Sequence, residues 1–449
     1  MENTEIQNAG KASRWVDVPF APRRFPFFYG WVIAAAATLG IIASIPGQTM
    51  SVGVFTDYLL PALGLTREQL SRTYMFGTIA AGILLPLAGR LLDRIGTRAM
   101  IVTATLGLGV SLCILSYSDR IARSISVDIF TTMIVVTLCF MLVRFFGQGC
   151  ITMASRISIG KWFNHKRGLA TAISGVPVSF AFSIAPLALN ELIGIFQWRG
   201  ALVALGLMVG VGMGLIGWLF YRDNPEQCGL VMDGITDEAW LKKHPVSVSE
   251  TVKELTRSEA AKTLTFWVFS FGMASHALMI TAITFNITSI GSEMGRSREQ
   301  AFTIFLPMAV ISIVTRFVSG WMCDRTRTKI KWLLVVMMLT QALGTIGVVL
   351  FSTNIGWALT AAGYGICGGL FGTIFNVAWP RFFGRKHLGA VSGLTMSIIV
   401  FASAIGPWFF SIGHNITQSY QQVTALCLLM PLLIGLAATR SENPQEKFA

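Results

Sequence analysis

Charge is scarce in this chain: Asp, Glu, Lys and Arg make up 13% of its 449 residues, against roughly 25% in an ordinary soluble domain. No Asp, Glu or Lys stands near the middle of an apolar run. A water-soluble globular fold is excluded on that ground. The usual parts for enzyme chemistry are missing as well. No His/Glu metal spacing, serine-centred elbow or phosphate loop occurs, so metal-assisted hydrolysis, acyl transfer and ATP hydrolysis lack their motifs. The expectation is no enzyme, no cofactor and no metal. The seven cysteines (113, 139, 150, 228, 323, 367 and 427) form no Cys-x-x-Cys pair and fall mostly inside apolar runs, where they read as small buried hydrophobes. Residues 1–26 are polar and carry Lys11, Arg14, Arg23 and Arg24, which does not read as a removable signal peptide.

What the chain has instead is hydrophobicity, 53% of its residues. Runs able to cross a ~30 Å hydrocarbon core lie near 28–50, 69–92, 99–117, 127–153, 168–194, 199–221, 264–290, 300–323, 331–352, 355–379, 387–412 and 418–438. Lipid offers the backbone no hydrogen-bond partner, and these runs are too long and continuous for barrel strands, so twelve transmembrane helices are expected. The net charge of +13 follows the connections. Arg90, Arg94, Arg98, Arg156, Lys161, Lys166, Arg167, Arg325, Arg327, Lys329, Lys331, Arg381, Arg385 and Lys386 fall in even-numbered loops, against seven basic residues in the opposite ones. This bias reads as topology, with both termini cytoplasmic in a plasma membrane of the bacterial inner-membrane kind, and as no evidence for nucleic acid.

One long polar stretch divides the chain into residues 1–220, a central loop 221–263 and residues 264–449. In it, Ser247-Val-Ser-Glu250 reads as a capping box opening an amphipathic helix through Val252, Leu255 and Leu264. The two outer parts repeat one another. Gly89-Arg-Leu-Leu-Asp93-Arg94 recurs 231 residues later as Gly320-Trp-Met-Cys-Asp324-Arg325, and Gly168 followed 18 residues on by Pro186 recurs as Gly389 and Pro407. Two independent features at matching positions indicate an internal duplication of six spans, with a path between the copies.

The stretch Gly89-Arg-Leu-Leu-Asp93-Arg94-Ile-Gly96-Thr-Arg98 resembles the signature loop of the major facilitator superfamily, and Gly320 to Lys329 stands where that family keeps its second copy. Arg144-Phe-Phe-Gly147-Gln148-Gly149, Trp198-Arg199 and Asn224-Pro225-Glu226 agree with it. Lys161-Trp-Phe-Asn-His-Lys166-Arg167-Gly168 is similar to the fourth-to-fifth loop of the monocarboxylate and oxalate/formate branch. The similarity covers essentially the whole chain and implies an all-α fold of two six-helix halves. It also implies gating roles for Gly89, Asp93, Arg94, Gly96, Arg98, Gly320, Asp324 and Arg325. Glycine lets a second helix approach closely. Each Asp can then face a helix N-terminus across the seam, where the dipole favours an anion, and the resemblance places Asp93 near Gly389 and Asp324 near Gly168.

An ionisable group inside a membrane is expensive and marks a candidate site. Arg316 offers bidentate donors that stay charged, which suits a carboxylate; otherwise it reaches the cytoplasmic interface or a loop acid. Ser312 and Arg316 share a helix face. The register resembles the Asp-x-x-x-Arg-x-x-x-Gly of the monocarboxylate branch, with Ser312 in place of its acid. The proton carrier that the resemblance implies is therefore absent, and His276 is the one central side chain able to titrate near neutrality. Arg144 and Gln148, Gln48 beside the Pro46-Gly47 interruption, Asn286 and Asn376 complete the candidate set. The expected activity is secondary transport of a small organic anion, a mono- or dicarboxylate, by a monomer, with a proton as the candidate symported ion. Export of a drug-like or neutral solute, and solute sensing without transport, are the alternatives.

Overall fold

The computed structural model describes residues 17–235, 253–325 and 329–448, and among these every regular element is helical. Nine helical runs among the described residues are long and apolar enough to cross a membrane. Two of them, Arg67–Ser116 and Arg167–Phe220, hold 50 and 54 residues, roughly 75–80 Å at 1.5 Å per residue and more than twice a hydrocarbon core. Each turns back at one non-helical residue. Gly96 takes φ 84° and Gln197 φ 59°, so each run crosses twice.

The first pass is built from α1 (Gly30–Ala43) and α2 (Thr49–Leu63), split by a 3-10 turn at Ile45–Gly47. Helix α3 (Arg67–Ser116) supplies passes two and three, and α4 (Ser118–Ile125) is a short surface helix. Pass four joins α5 (Ile129–Arg144), a π-helical stretch Phe145–Ile151 and α6 (Thr152–Trp162). Helix α7 (Arg167–Leu207), continued through a second π-helical stretch into α8 (Gly214–Phe220), gives passes five and six. After the short α9 (Arg257–Ala261), α10 (Leu264–Glu293) is pass seven. The short α11 (Arg298–Phe302) leads into α12 (Phe305–Arg325), α13 (Ile330–Val349), α14 (Asn354–Phe383) and α15 (Leu388–Thr417). Helices α16 (Tyr420–Leu426) and α17 (Leu429–Thr439) form the twelfth pass.

Local chemistry sets these boundaries. Thr66 with Gln69 and Ser297 with Gln300 form capping boxes, and Thr263 and Thr353 accept first-turn N–H groups, each such cap being worth about 1 kcal/mol. Phe76, Ile83, Leu306, Val310 and Val314 are exposed, as lipid-facing residues are.

The sequence expectation differs at the basic end of the bundle. Pass four runs to Trp162 and pass ten to Phe383, so Arg156, Lys161 and Arg381 lie within helices rather than loops, and Lys161, Arg167 and Arg381 are buried. The apolar pattern fades there, yet the helices continue, and the buried arginines bond carbonyls. Arg381 donates to the Cys323 carbonyl at 2.9 Å, and Arg167 to those of Phe163 and Gly160 at 2.7 and 3.0 Å. The capping residues expected at 247–250, with Val252, lie outside the described residues. In the described part of the loop, Thr256 and Glu259 form a capping box that opens α9, and Leu255 is buried with its N–H on the Phe383 carbonyl.

Candidate functional site: a two-point seam contact and an arginine-bearing interior

At two places α3 packs on α15 and α12 on α7 with glycine against glycine. A Cβ at Gly89 would collide with the Gly389 carbonyl, and one at Gly320 with that of Gly168. This closeness delivers the acid one turn further on. Asp93 accepts the N–H groups of Gly389 and Ala390, both at 2.7 Å, and Asp324 accepts those of Gly168 and Leu169 at 2.8 and 2.7 Å. Each carboxylate thus takes two first-turn donors that the facing helix leaves unbonded.

The remaining motif residues work elsewhere. Gly96 turns the chain against Asp223, whose carboxylate accepts from Thr97 Oγ1 and Arg98 N, each at 3.0 Å. Arg98 donates to the carbonyls of Trp218 and Val18 at 2.9 and 2.8 Å. Both therefore tie the second-to-third turn to the end of pass six, away from the seam. Arg94 is exposed, with no hydrogen bond or ion pair among the described residues, and the side chain of Arg325 is not among the described parts. Sequence reasoning missed the rest of this end. Asp233 accepts from the backbone of Asn164, His165 and Lys166 at 3.0, 2.7 and 3.1 Å. Arg385 crosses the seam, bonding Glu226 at 2.8 Å and the Lys161 carbonyl at 2.8 Å. Only a charge count marked Arg385 in the sequence; its partners lie more than a hundred residues away.

In the interior, the candidates separate into two groups. Arg144 is buried beside the broken first pass and donates to the Gly47 carbonyl at 3.0 Å, with its guanidinium 5.4 Å from the Tyr74 ring centre. Gly147 packs directly on Gly47. Gln48 donates to Ser44 at 3.1 Å. Arg144 Nε and Nη2 and Gln148 Oε1 are buried without a hydrogen-bond partner in the structure, whereas buried polar atoms are ordinarily paired.

The second group gathers where α12, α14 and α10 meet α6 and α7. Arg316 lies between Gly175 of α7 and Gly372 of α14. Its Nη1 reaches the Gly175 carbonyl only at 3.5 Å, and its Nε is buried without a partner. It makes no ion pair among the described residues, so no loop acid among them accounts for it. Ser312 Oγ and His276 Nε2 face Gly368 one turn away, at 3.6 and 3.9 Å from the position of a Cβ there. His276 is held through Nδ1 by Cys367 at 3.1 Å and flanked by Phe371 and Tyr364. Asn376 reaches Thr171 across the seam at 3.4 Å and leaves its Oδ1 unpartnered. Arg156, read from the sequence as a loop charge, sits here half-buried over the Phe375 ring at 5.1 Å. Asn286 stands apart, its amide on the Ala282 carbonyl of its own helix at 2.9 Å. Among the described residues no cluster of His, Cys, Asp and Glu could hold a metal.

Residues 37–407 match the family model of the Major Facilitator Superfamily. The chain is 20% identical to rat monocarboxylate transporter 1 over 432 residues, covering 91% of this chain and 83% of that one. It is 23% identical to mouse monocarboxylate transporter 11 over 388 residues, 84% and 80% of the two. Among solved structures it is similar in fold to a proton:xylose symporter (TM-score 0.69, 13% identity, 93% and 98% covered). A human organic anion transporter also matches (TM-score 0.61, 12% identity, 92% and 100% covered). With the family model matched over most of its length, the chain belongs to the major facilitator superfamily: it is a multi-pass secondary transporter of small molecules, not an enzyme.

Proposed function

We propose that the chain moves a small organic anion, a mono- or dicarboxylate, by alternating access between two six-pass halves, residues 1–220 and 264–449, joined by the loop 221–263. The observation that carries this reading is Arg316. A permanently charged group at the seam with one long hydrogen bond and no acid among the described residues is costly unless its ligand brings the negative charge. The names of the curated monocarboxylate transporters at 20–23% identity point the same way. With the basic end read as cytoplasmic, Asp93 and Asp324 hold the halves together on the cytoplasmic side. His276, whose Nε2 opens beside Ser312, is the group in this reading that carries a symported proton.

Equilibrium binding of carboxylates to purified protein tests the proposal. Arg316→Ala should weaken binding by about 2–5 kcal/mol, at least roughly 30-fold. Arg316→Lys, which keeps the charge and loses the planar fork, should fall between the two and discriminate less among anion shapes. Wild-type affinity in a folded Arg316→Ala would sink the anion reading and favour a neutral solute. Binding without flux in liposomes would favour a sensor.

A further inference from the structure

Helix α14 offers one stripe, Gly368, Gly372 and Phe375, at the spacing of residues that share a helix face. The stripe organises the interior charges. Ser312 and His276 face Gly368, and the Arg316 guanidinium lies over Gly372, where a Cβ would come within 3.3 Å of Cζ and Nε. The Arg156 guanidinium stands over the Phe375 ring at 5.1 Å. Positions three apart on a helix have Cβ atoms roughly 5–6 Å apart, so two cations occupy adjoining places on this face. They come from different copies of the six-pass unit, Arg156 from α6 and Arg316 from α12, and two like charges on adjoining places of one helix face disfavour each other.

Nothing nearby balances them. Among the described residues Arg156 has its ring contact and no hydrogen-bond acceptor, and Arg316 has only the distant Gly175 carbonyl. A ring face attracts a guanidinium without neutralising it. A ligand with one negative charge would leave the second, half-buried cation unpaired, whereas one with two would satisfy both and draw the two sides of the seam together. Resting on the anion reading above, we infer that Arg156 and Arg316 form a two-cation site for a compact dicarboxylate, one carboxylate on each guanidinium.

Succinate and its monomethyl ester, a monoanion of nearly the same shape, are the probes. Binding to the purified, full-length protein is read as the ligand-induced rise in melting temperature and confirmed by counterflow in liposomes. The wild type should bind succinate at least about tenfold more tightly than the ester. In Arg156→Gln that ratio should collapse toward one, and Arg156→Lys should restore part of it. Phe375→Leu, which unseats Arg156 while keeping its charge, should lower the ratio and serves where Arg156→Gln fails to fold. Equal wild-type affinity for the two probes, or an undiminished ratio in a folded Arg156→Gln, overturns the two-cation site. If the ratio holds in the wild type but Arg316→Ala binds succinate like wild type, the anion reading built on Arg316 fails instead.

Discussion

Replacing Asp93 by Asn changes one atom at the seam and should shift the conformational equilibrium of the whole transporter. Each carboxylate oxygen of Asp93 accepts one N–H at 2.7 Å, from Gly389 and Ala390. Asn keeps one acceptor and turns a donor toward the other N–H. The loss is one charge-assisted bond, about 1.5–3 kcal/mol, plus the attraction of a charge to a helix N-terminus, about 0.3–1 kcal/mol. Together, about 2–4 kcal/mol would favour conformations with the halves apart at the basic end by roughly 30- to 700-fold. Cys323 reports on this: it is 4% exposed, adjacent to the second latch, and far from Asp93 in sequence. Asp93→Asn should speed maleimide labelling of Cys323, mapped by peptide mass spectrometry, and slow transport while changing substrate affinity little. Unchanged Cys323 labelling together with a wild-type transport rate would refute the latch.

Two further outcomes are expected. His276→Gln should leave substrate exchange intact and reduce accumulation driven by a pH gradient; gradient-driven uptake equal to wild type from pH 5 to 8 would make His276 a packing residue held by Cys367. Arg199 donates two hydrogen bonds to Asp119, each 2.8 Å, and they hold its carboxyl below the usual 3.8. The stabilisation is therefore full above pH ~4 and is lost as pH falls through the lowered value. Since Arg199 keeps 30% exposure, Asp119→Asn should cost about 1–2 kcal/mol at neutral pH and flatten the acid side of a melting-temperature profile.

Twelve apolar runs separated by polar turns made the helical fold legible, because lipid leaves the backbone no alternative. The places where Asp93 and Asp324 dock were legible for a different reason. Glycine, acid and the facing Gly168 and Gly389 recur in both copies, and the resemblance to the signature loop supplies which acid faces which glycine. Arg156 was not legible. It follows the apolar part of pass four and counts as a loop charge in any hydropathy reading. Only the continuation of α6 to Trp162, after a π-helical stretch that shifts its face, brings it onto Phe375. Arg385, Asp223 and Asp233 escaped for a related reason, and Glu226 was seen only as part of a motif: each acts through backbone or side-chain partners distant in sequence, which periodicity does not reveal.

The two kinds of residue relate differently to the duplication, and this separates their roles. At the 231-residue offset that pairs Gly89 with Gly320 and Asp93 with Asp324, Arg316 falls opposite Leu85 and Ser312 opposite Ala81. Leu85 and Ala81 are buried apolar residues, each 1% exposed. At the 221-residue offset that pairs Gly168 with Gly389, Arg156 falls opposite Val377, fully buried. The seam contacts are thus present twice and the interior charges once. A rocking motion about a two-fold arrangement needs equivalent closures on both sides, since a single latch would leave the other edge of the seam free to splay. Two cations, one from each copy, already match the charge of a compact dicarboxylate, and duplicating both Arg316 and Arg156 would bury two further charges with no ligand group to meet them. Closure can therefore stay symmetric while recognition does not, and substitutions at Arg316 or Arg156 should alter what is carried without altering how the basic end closes.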